Sequence, residues 1–235
     1  MNKIIIIGAG AMGSAFAVPC LENQNDVTLV GTHLEDDLIK NIKSKNNFHP
    51  VLNMELPSKL KVEKFEKLNS IFEEGIDIIV AGVSSIGIEW FVKQIEKYYK
   101  KNLPIILLTK GLAIEESELI TLSDKIKKLL KEKGHTEINI SAIKGPCLAA
   151  GLANKMRTGT VIANPDIKET ELLKKIISTD YYSTEISDDL TGIELSGAIK
   201  NIYSMLIGAS KGLSNSKASK EIQSKYYLNT SASLI

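Results

Sequence analysis

Arginine is almost absent from this 235-residue chain, with Arg157 the single example. A planar, two-pronged grip on phosphate is arginine's speciality. Phosphate held by these residues must therefore be met by lysine or by backbone amides. Cysteine is nearly as scarce. Cys20 and Cys147 are too few for a disulfide framework in a chain of this size, which makes a reducing, cytoplasmic setting the expectation. Charge of one sign is not in excess either: 29 basic and 28 acidic side chains leave a net charge of +1. The basic surplus of a nucleic-acid binder is missing, so nucleic acid is not an expected partner. No apolar run approaches the roughly 18 residues of a membrane helix. The four isoleucines at 4–7 are too short a run for the apolar part of a signal peptide and meet glycine at once. Membrane insertion is therefore not expected, and no metal site is expected.

Apolar residues make up 43% of the chain and charged residues 24%, the balance of an ordinary globular protein. The apolar residues fall into short runs that alternate with helical patterns. Lys3 to Ile7 reads as a strand buried on both faces. A helix follows to about Asn23, with Pro19 inside it expected to kink or shorten it. Val27 to Val30 is a second strand. Later strands are expected at Ile76–Ala81, Pro104–Leu108, Ile138–Ile143, Thr160–Ala163 and Tyr181–Ile186. Helices are expected at about Ile88–Tyr99, Ser117–Lys131 and Glu169–Ile177. Such βα alternation predicts an α/β fold, a Rossmann-like doubly wound and mostly parallel sheet, over residues 1–188. The pattern changes at Asp189. A long helix is predicted to Gly212, then a polar stretch from Ser214, then a helical pattern from Asn229. Residues 189–235 thus read as the beginning of an all-helical domain.

The segment Gly8-Ala9-Gly10-Ala11-Met12-Gly13 has the form G-x-G-x-x-G. It follows a buried strand at the start of the chain and opens a helix, and a second strand comes at the expected distance, which is the context that makes this weak pattern informative. Gly8 allows a tight turn, Gly10 lets amides approach a pyrophosphate, and Gly13 lets the helix pack against the sheet. The helix N-terminus offers unpaired N–H groups and a positive dipole end. NAD or NADP is the expected cofactor. The second strand ends in Gly31-Thr32-His33-Leu34-Glu35, with neither an acid nor an arginine directly at the strand end. The choice between NAD and NADP therefore stays open. His33 is either a contact for the adenosine end or an exposed loop histidine.

Three more stretches lie at or beyond the carboxyl ends of strands, where open parallel sheets bind ligands. They are Thr109-Lys110-Gly111, Gly145-Pro146-Cys147-Leu148-Ala149, and Glu194-Leu195-Ser196-Gly197-Ala198-Ile199-Lys200-Asn201. With the glycine turn, these four motifs in this order resemble the NAD(P)-dependent glycerol-3-phosphate dehydrogenases, over essentially residues 1–213. The resemblance implies interconversion of dihydroxyacetone phosphate and sn-glycerol 3-phosphate, feeding phospholipid synthesis in the cytoplasm. It implies a small phosphorylated triose as partner, and a homodimer if the full helical domain is present. It makes Lys200 the catalytic acid and base. Lys110, Gly145, Cys147 and Asn201 would line the substrate. Gly8, Gly10, Ala11, Met12, Gly13, Lys110 and Ala149 would line the cofactor, with His33 as the open case above.

The residue types suit that chemistry. Reduction of a ketone needs hydride, which a nicotinamide supplies, and a proton with a positive field at the oxygen. A lysine supplies both if neighbouring cations or burial bring its pKa down from about 10.4. On a helix, Glu194, Gly197, Lys200 and Asn201 fall within an arc of about 120°. Cys147 reads better as a small buried residue than as a nucleophile.

The resemblance also has gaps. Val83-Ser84-Ser85-Ile86 stands where the family has proline and polar residues, and Ala150-Gly151 where an acid is common. The polar stretch 214–228 looks like an insertion. The family continues for about a hundred further residues, which carry an aspartate and an Arg-Asn pair that this chain lacks. Without them the long helix is expected to expose Ile193, Ile199, Ile202 and Leu206, which predicts instability, oligomerisation or a longer natural chain. The alternatives are another dehydrogenase of the ketopantoate or 3-hydroxyacid reductase type, or a nucleotide-binding fragment without turnover.

Overall fold

The computed structural model describes residues 1–213. The chain runs β1 (Lys3–Ile7), α1 (Ala11–Glu22), β2 (Asp26–Val30), α2 (Asp36–Ser44), β3 (Phe48–His49), β4 (Met54–Glu55), β5 (Lys61–Glu63) and α3 (Leu68–Glu73). It continues through β6 (Ile78–Ala81), α4 (Ile88–Ile95), β7 (Ile105–Leu107), β8 (Leu112–Glu115), β9 (Glu118–Thr121), α5 (Leu122–Glu132) and β10 (Ile140–Lys144). The last described elements are α6 (Ala149–Ala153), β11 (Thr158–Ala163), α7 (Ile167–Ile177), β12 (Tyr182–Ser187) and α8 (Leu190–Leu213).

Eight strands form one sheet in the order β12-β11-β10-β7-β6-β1-β2-β5. Only the β10–β11 pair is antiparallel; every other neighbouring pair runs parallel. From β5 to β10, the six parallel strands follow the doubly wound order, with the direction of winding reversing between β1 and β6. The expected α/β sheet is therefore present. Its ligand crevice belongs at the carboxyl ends of β1 and β6.

The isoleucine run shows why β1 occupies the centre. Successive side chains of a strand point to opposite faces. Ile4 and Ile6 pack into the core beneath α1 and α2, while Ile5 and Ile7 pack into the core beneath α4 and α5. All four are buried, each contributing roughly 1.5–3 kcal/mol of burial free energy. A strand apolar on both sides is stable only with helices on both.

Three expectations change. The helix predicted from Ser117 begins at Leu122 instead, because residues 112–121 form the hairpin β8–β9. Glu116 and Ser117 have φ of 49° and 70°, the left-handed pair that two-residue hairpin turns require. Thr121 then caps α5, its Oγ1 accepting the Asp124 N–H at 3.1 Å. Secondly, Pro19 does not shorten α1, which runs to Glu22, one residue before the expected end at about Asn23. Thirdly, Ile193 is not left exposed: it packs against Ala142, Ala163 and Leu190 where α8 crosses the sheet. Ile199, Ile202 and Leu206 are exposed, at 37%, 54% and 57%. The segment 32–75, which carried no assigned element, holds α2, β3, β4, β5 and α3. The expected polar loop from Ser214 and helix from Asn229 lie outside the described residues. No described helix is long and apolar enough to cross a membrane.

Candidate functional site

The glycine turn joins β1 to α1 at the reversal point of the sheet. Gly8 has a φ of 112°, and a Cβ there would lie 2.6 Å from the Gly82 carbonyl group. A Cβ on Gly13 would collide with the Gly8 carbonyl oxygen. These two glycines are required by the chain's own packing. Gly10 is different: a Cβ there would meet only Glu35 Oε1, at 4.0 Å. Nothing inside the chain needs the space beside Gly10. No side chain caps the N-terminus of α1, so its first amides are left for an outside acceptor. An open cradle at an uncapped twelve-residue helix fits the pyrophosphate of a dinucleotide.

Ala9 is held from three sides. Its N–H donates to Glu35 Oε2 at 3.0 Å, and the same oxygen accepts the Thr32 N–H at 2.8 Å. Its carbonyl accepts from Ser14 Oγ at 3.0 Å and from the buried His49 Nε2 at 3.0 Å. The other ring nitrogen of His49 accepts the Leu52 N–H at 3.2 Å. That pattern requires the neutral ring with its proton on Nε2. Ala11 and Met12 open α1 with their side chains half-buried against the core. His33 lies exposed beyond β2, its ring 5.0 Å from that of Trp90 on α4. Trp90 in turn stands 5.4 Å from Phe65.

The second part of the site lies beyond β7 and β10. Lys110, Lys144, Gly145, Pro146, Ser196, Gly197 and Lys200 line one pocket of about 410 Å³, including the solvent at its mouth. The three separate lysine-bearing stretches therefore meet. Lys110 stands at the mouth with its side chain partly exposed. Partial desolvation and then the Lys200 charge push its pKa down, while Cys147 offsets the effect. A Cβ on Gly145 would lie 2.8 Å from Thr160 Cα, so this glycine lets β10 turn closely past β11 as well as lining the pocket.

Lys144 was not among the expected site residues. It is 5% exposed, and its Nζ donates to the carbonyls of Thr109 at 2.6 Å and Leu107 at 3.2 Å. Burial brings its pKa down to about 8, with Glu194 opposing that shift and Lys110 adding to it. Glu194 is fully buried. Its Oε1 accepts the Ser123 N–H at 3.3 Å, and burial pushes its pKa up. Glu194 thus faces Lys144 and α5. A lysine at the carboxyl end of a strand buried throughout was the available signal for Lys144.

Cys147 is buried, and burial pushes its thiol pKa up, which disfavours the thiolate a nucleophile needs. Ala149 opens α6, which packs on α1. Asn201 lies on α8, and its side chain is outside what the structure describes. No group of three metal-ligating side chains occurs among the described residues.

The family model for the N-terminus of NAD-dependent glycerol-3-phosphate dehydrogenase matches residues 3–170. The chain belongs to that family. It is 32% identical to the NADP(+)-dependent glycerol-3-phosphate dehydrogenase of Archaeoglobus fulgidus, over 91% of this chain and 62% of that protein. It is 33% identical to a glycerol-3-phosphate dehydrogenase [NAD(P)+] of Mesoplasma florum, over 85% of this chain and 58% of that one. The chain thus spans about three fifths of the length of these family members. In fold it is similar to the crystal structure of glycerol-3-phosphate dehydrogenase from Coxiella burnetii, with a TM-score of 0.78 at 21% identity, covering 99% of this chain and 67% of that one.

Proposed function

We propose that this chain supplies the cofactor half and the catalytic lysine of an NAD(P)-dependent oxidoreductase that interconverts dihydroxyacetone phosphate and sn-glycerol 3-phosphate. The observation that carries the reading is the convergence of Lys110 and Lys200 on one pocket beside the carboxyl ends of the parallel strands. The names of the relatives support the substrate. In this reading the glycine turn and the open end of α1 hold the pyrophosphate, and His33 meets the adenosine end beside Trp90. Residues 189 onward begin the helical substrate domain. The exposed apolar positions of α8 are covered by further helical residues, or by a second copy in a homodimer. The setting is the cytoplasm, at the entry to phospholipid synthesis.

When bound, the reduced nicotinamide supplies hydride to the ketone carbon. Lys200 gives its proton to the carbonyl oxygen as the alcohol forms and takes it back in the oxidative direction. Lys110 places a second positive charge at that oxygen as negative charge develops there. Gly145 and Gly197 leave room for the triose, and Cys147 packs beneath it. Asn201, one residue after Lys200, holds a substrate hydroxyl.

The test is absorbance of the reduced nicotinamide after adding dihydroxyacetone phosphate to the purified chain with NADH or NADPH. A loss of signal that depends on the ketone supports the reading and reports the cofactor. Cofactor binding without any such loss, in a full-length chain too, would refute it. The variant Lys200→Ala is expected to lose turnover while keeping NADH affinity within a factor of about three.

A further inference from the structure

Lys144 is the last residue of β10, and its side chain touches all three strands of chemistry in the pocket. Its Nζ donates to the carbonyl oxygens of Leu107 and Thr109, which end β7 and lead into Lys110. Its stem lies across α8: a Cβ on Gly197 would stand 3.3 Å from Lys144 Cδ and 3.5 Å from its Cγ. Its own carbonyl accepts from Thr160 Oγ1 at 2.8 Å, fixing the start of the Gly145 turn to β11. A side chain that costs so much to bury is held here by specific acceptors on the turn that carries Lys110.

We propose that Lys144 is a positioning residue for Lys110: by donating to the carbonyls of Leu107 and Thr109 it clamps the end of β7 to the Thr109-Lys110-Gly111 turn and so fixes Lys110 on the wall shared with Lys200. The proposal rests on reading Lys110 as substrate-facing for its catalytic meaning, while the clamp and the charge coupling stand without that reading. The charged and titratable groups around Lys110 are Lys200 from α8, with Lys144 and Cys147 from β10 and its turn. Glu194 faces Lys144, and Asp124 of α5 faces Glu194. Like charges held close together in a partly dry site lower one another's pKa. A lysine lowered toward neutrality exchanges protons more readily and responds more strongly to a developing negative charge beside it. Gly197 follows from the same geometry, since a larger residue there would displace the Lys144 stem.

The test measures Lys110 directly. The chain is labelled with lysine carrying ¹³C at Cε, and the Lys110 resonance is identified by its loss in Lys110→Arg. In Lys144→Met, which keeps the apolar stem and loses both donors, the turn loosens and the Lys110 titration midpoint is expected to rise by roughly half a pH unit or more, toward the ordinary lysine value, as Lys110 leaves its partly dry place beside Lys200. In Lys144→Arg, which keeps donors for the two carbonyls, it is expected to stay near the parent value. A purely packing role would lower the melting temperature of both variants and leave Lys110 unmoved, and that result overturns the proposal. The parent chain gives a second reading if Lys144→Met does not fold. The Lys110 resonance is expected to show an extra inflection where Lys144 titrates, near pH 8, and its absence also overturns the proposal. A coupled Lys110 in a full-length chain that never reduces dihydroxyacetone phosphate would leave the clamp standing and remove the dehydrogenase. An uncoupled Lys110 in an active enzyme would do the reverse.

Discussion

One carboxylate oxygen of Glu35 holds the Ala9 N–H, at 3.0 Å, together with the Thr32 N–H. An acid five residues beyond the end of β2 thus folds back onto the glycine turn and faces Gly10. Charge-assisted bonds of this kind contribute about 1.5–3 kcal/mol. Glu35→Ala is therefore expected to lower the unfolding free energy measured in urea by an amount in that range or below it, since Glu35 is only half-buried. Removing the negative charge beside the cradle is also expected to favour NADPH, with its additional phosphate, over NADH. Fluorescence titrations with both cofactors measure that ratio, and an unchanged ratio would take Glu35 away from the adenosine end.

Gly10 and Gly13 separate packing from binding. Gly13→Ala drives a methyl group into the Gly8 carbonyl, and overpacking of this kind costs about 1–3 kcal/mol. Gly10→Ala meets nothing closer than Glu35 at 4.0 Å. It is expected to melt within a few degrees of the parent and yet bind NADH at least about tenfold more weakly, because its methyl group occupies the pyrophosphate's place. Calorimetry paired with NADH titration checks both. Normal NADH binding in Gly10→Ala would count against a ligand at this turn.

Lys144 predicts a pH dependence of stability. Its folded pKa of about 8 lies below the ordinary lysine value of 10.5, so between these limits the unfolded chain holds the extra proton. Stability from this group then rises with pH, by at most about 3 kcal/mol from pH 8 to 10.5, and the full penalty persists below pH 8. Buried tyrosines titrate in the opposite sense nearby, so the difference between the parent and Lys144→Met isolates the lysine. The gap in melting temperature between the two is expected to change steadily over that window, in favour of the parent as pH rises.

His49 ties β3 to the glycine turn from beneath. His49→Leu leaves the Leu52 N–H without an acceptor, at about 1–3 kcal/mol for a buried group left unpaired, while the Ala9 carbonyl loses one donor and keeps Ser14 Oγ. Denaturant unfolding is expected to register that loss, and NADH binding is expected to weaken because the turn loosens. A variant with parental stability would show that water replaces both bonds.

The parallel core was legible because its strands are apolar on both faces and its helices repeat at 3.6 residues. The stretch Ile4 to Ile7 alone carries enough pattern to place β1. The hairpin β8–β9 was not, since Glu116 and Ser117 are unusual hairpin-turn residues and the lysine-rich pattern of α5 runs smoothly back into them. The convergence of Lys110 and Lys200 was readable from motif order, because strand ends in such sheets gather at one edge. Glu35 and His49 were not readable as site residues, and Lys144 was readable only as a lysine at a strand's carboxyl end, not as a clamp. Each acts through a contact 26 to 40 residues away along the chain, and no local pattern encodes a contact at that distance.

The central position of β1 has a consequence for how the chain assembles. The first strand made is the one that both halves of the sheet share: β2 completes one side by residue 30, while its other neighbour, β6, begins only at residue 78. Through that interval the nascent chain carries an open, strongly apolar edge, the kind that recruits other strands. Pairings this distant in sequence form slowly. The strand that joins the two halves of the finished sheet is thus also the one left half-paired longest during synthesis, so refolding at high concentration is expected to be limited by aggregation at β1.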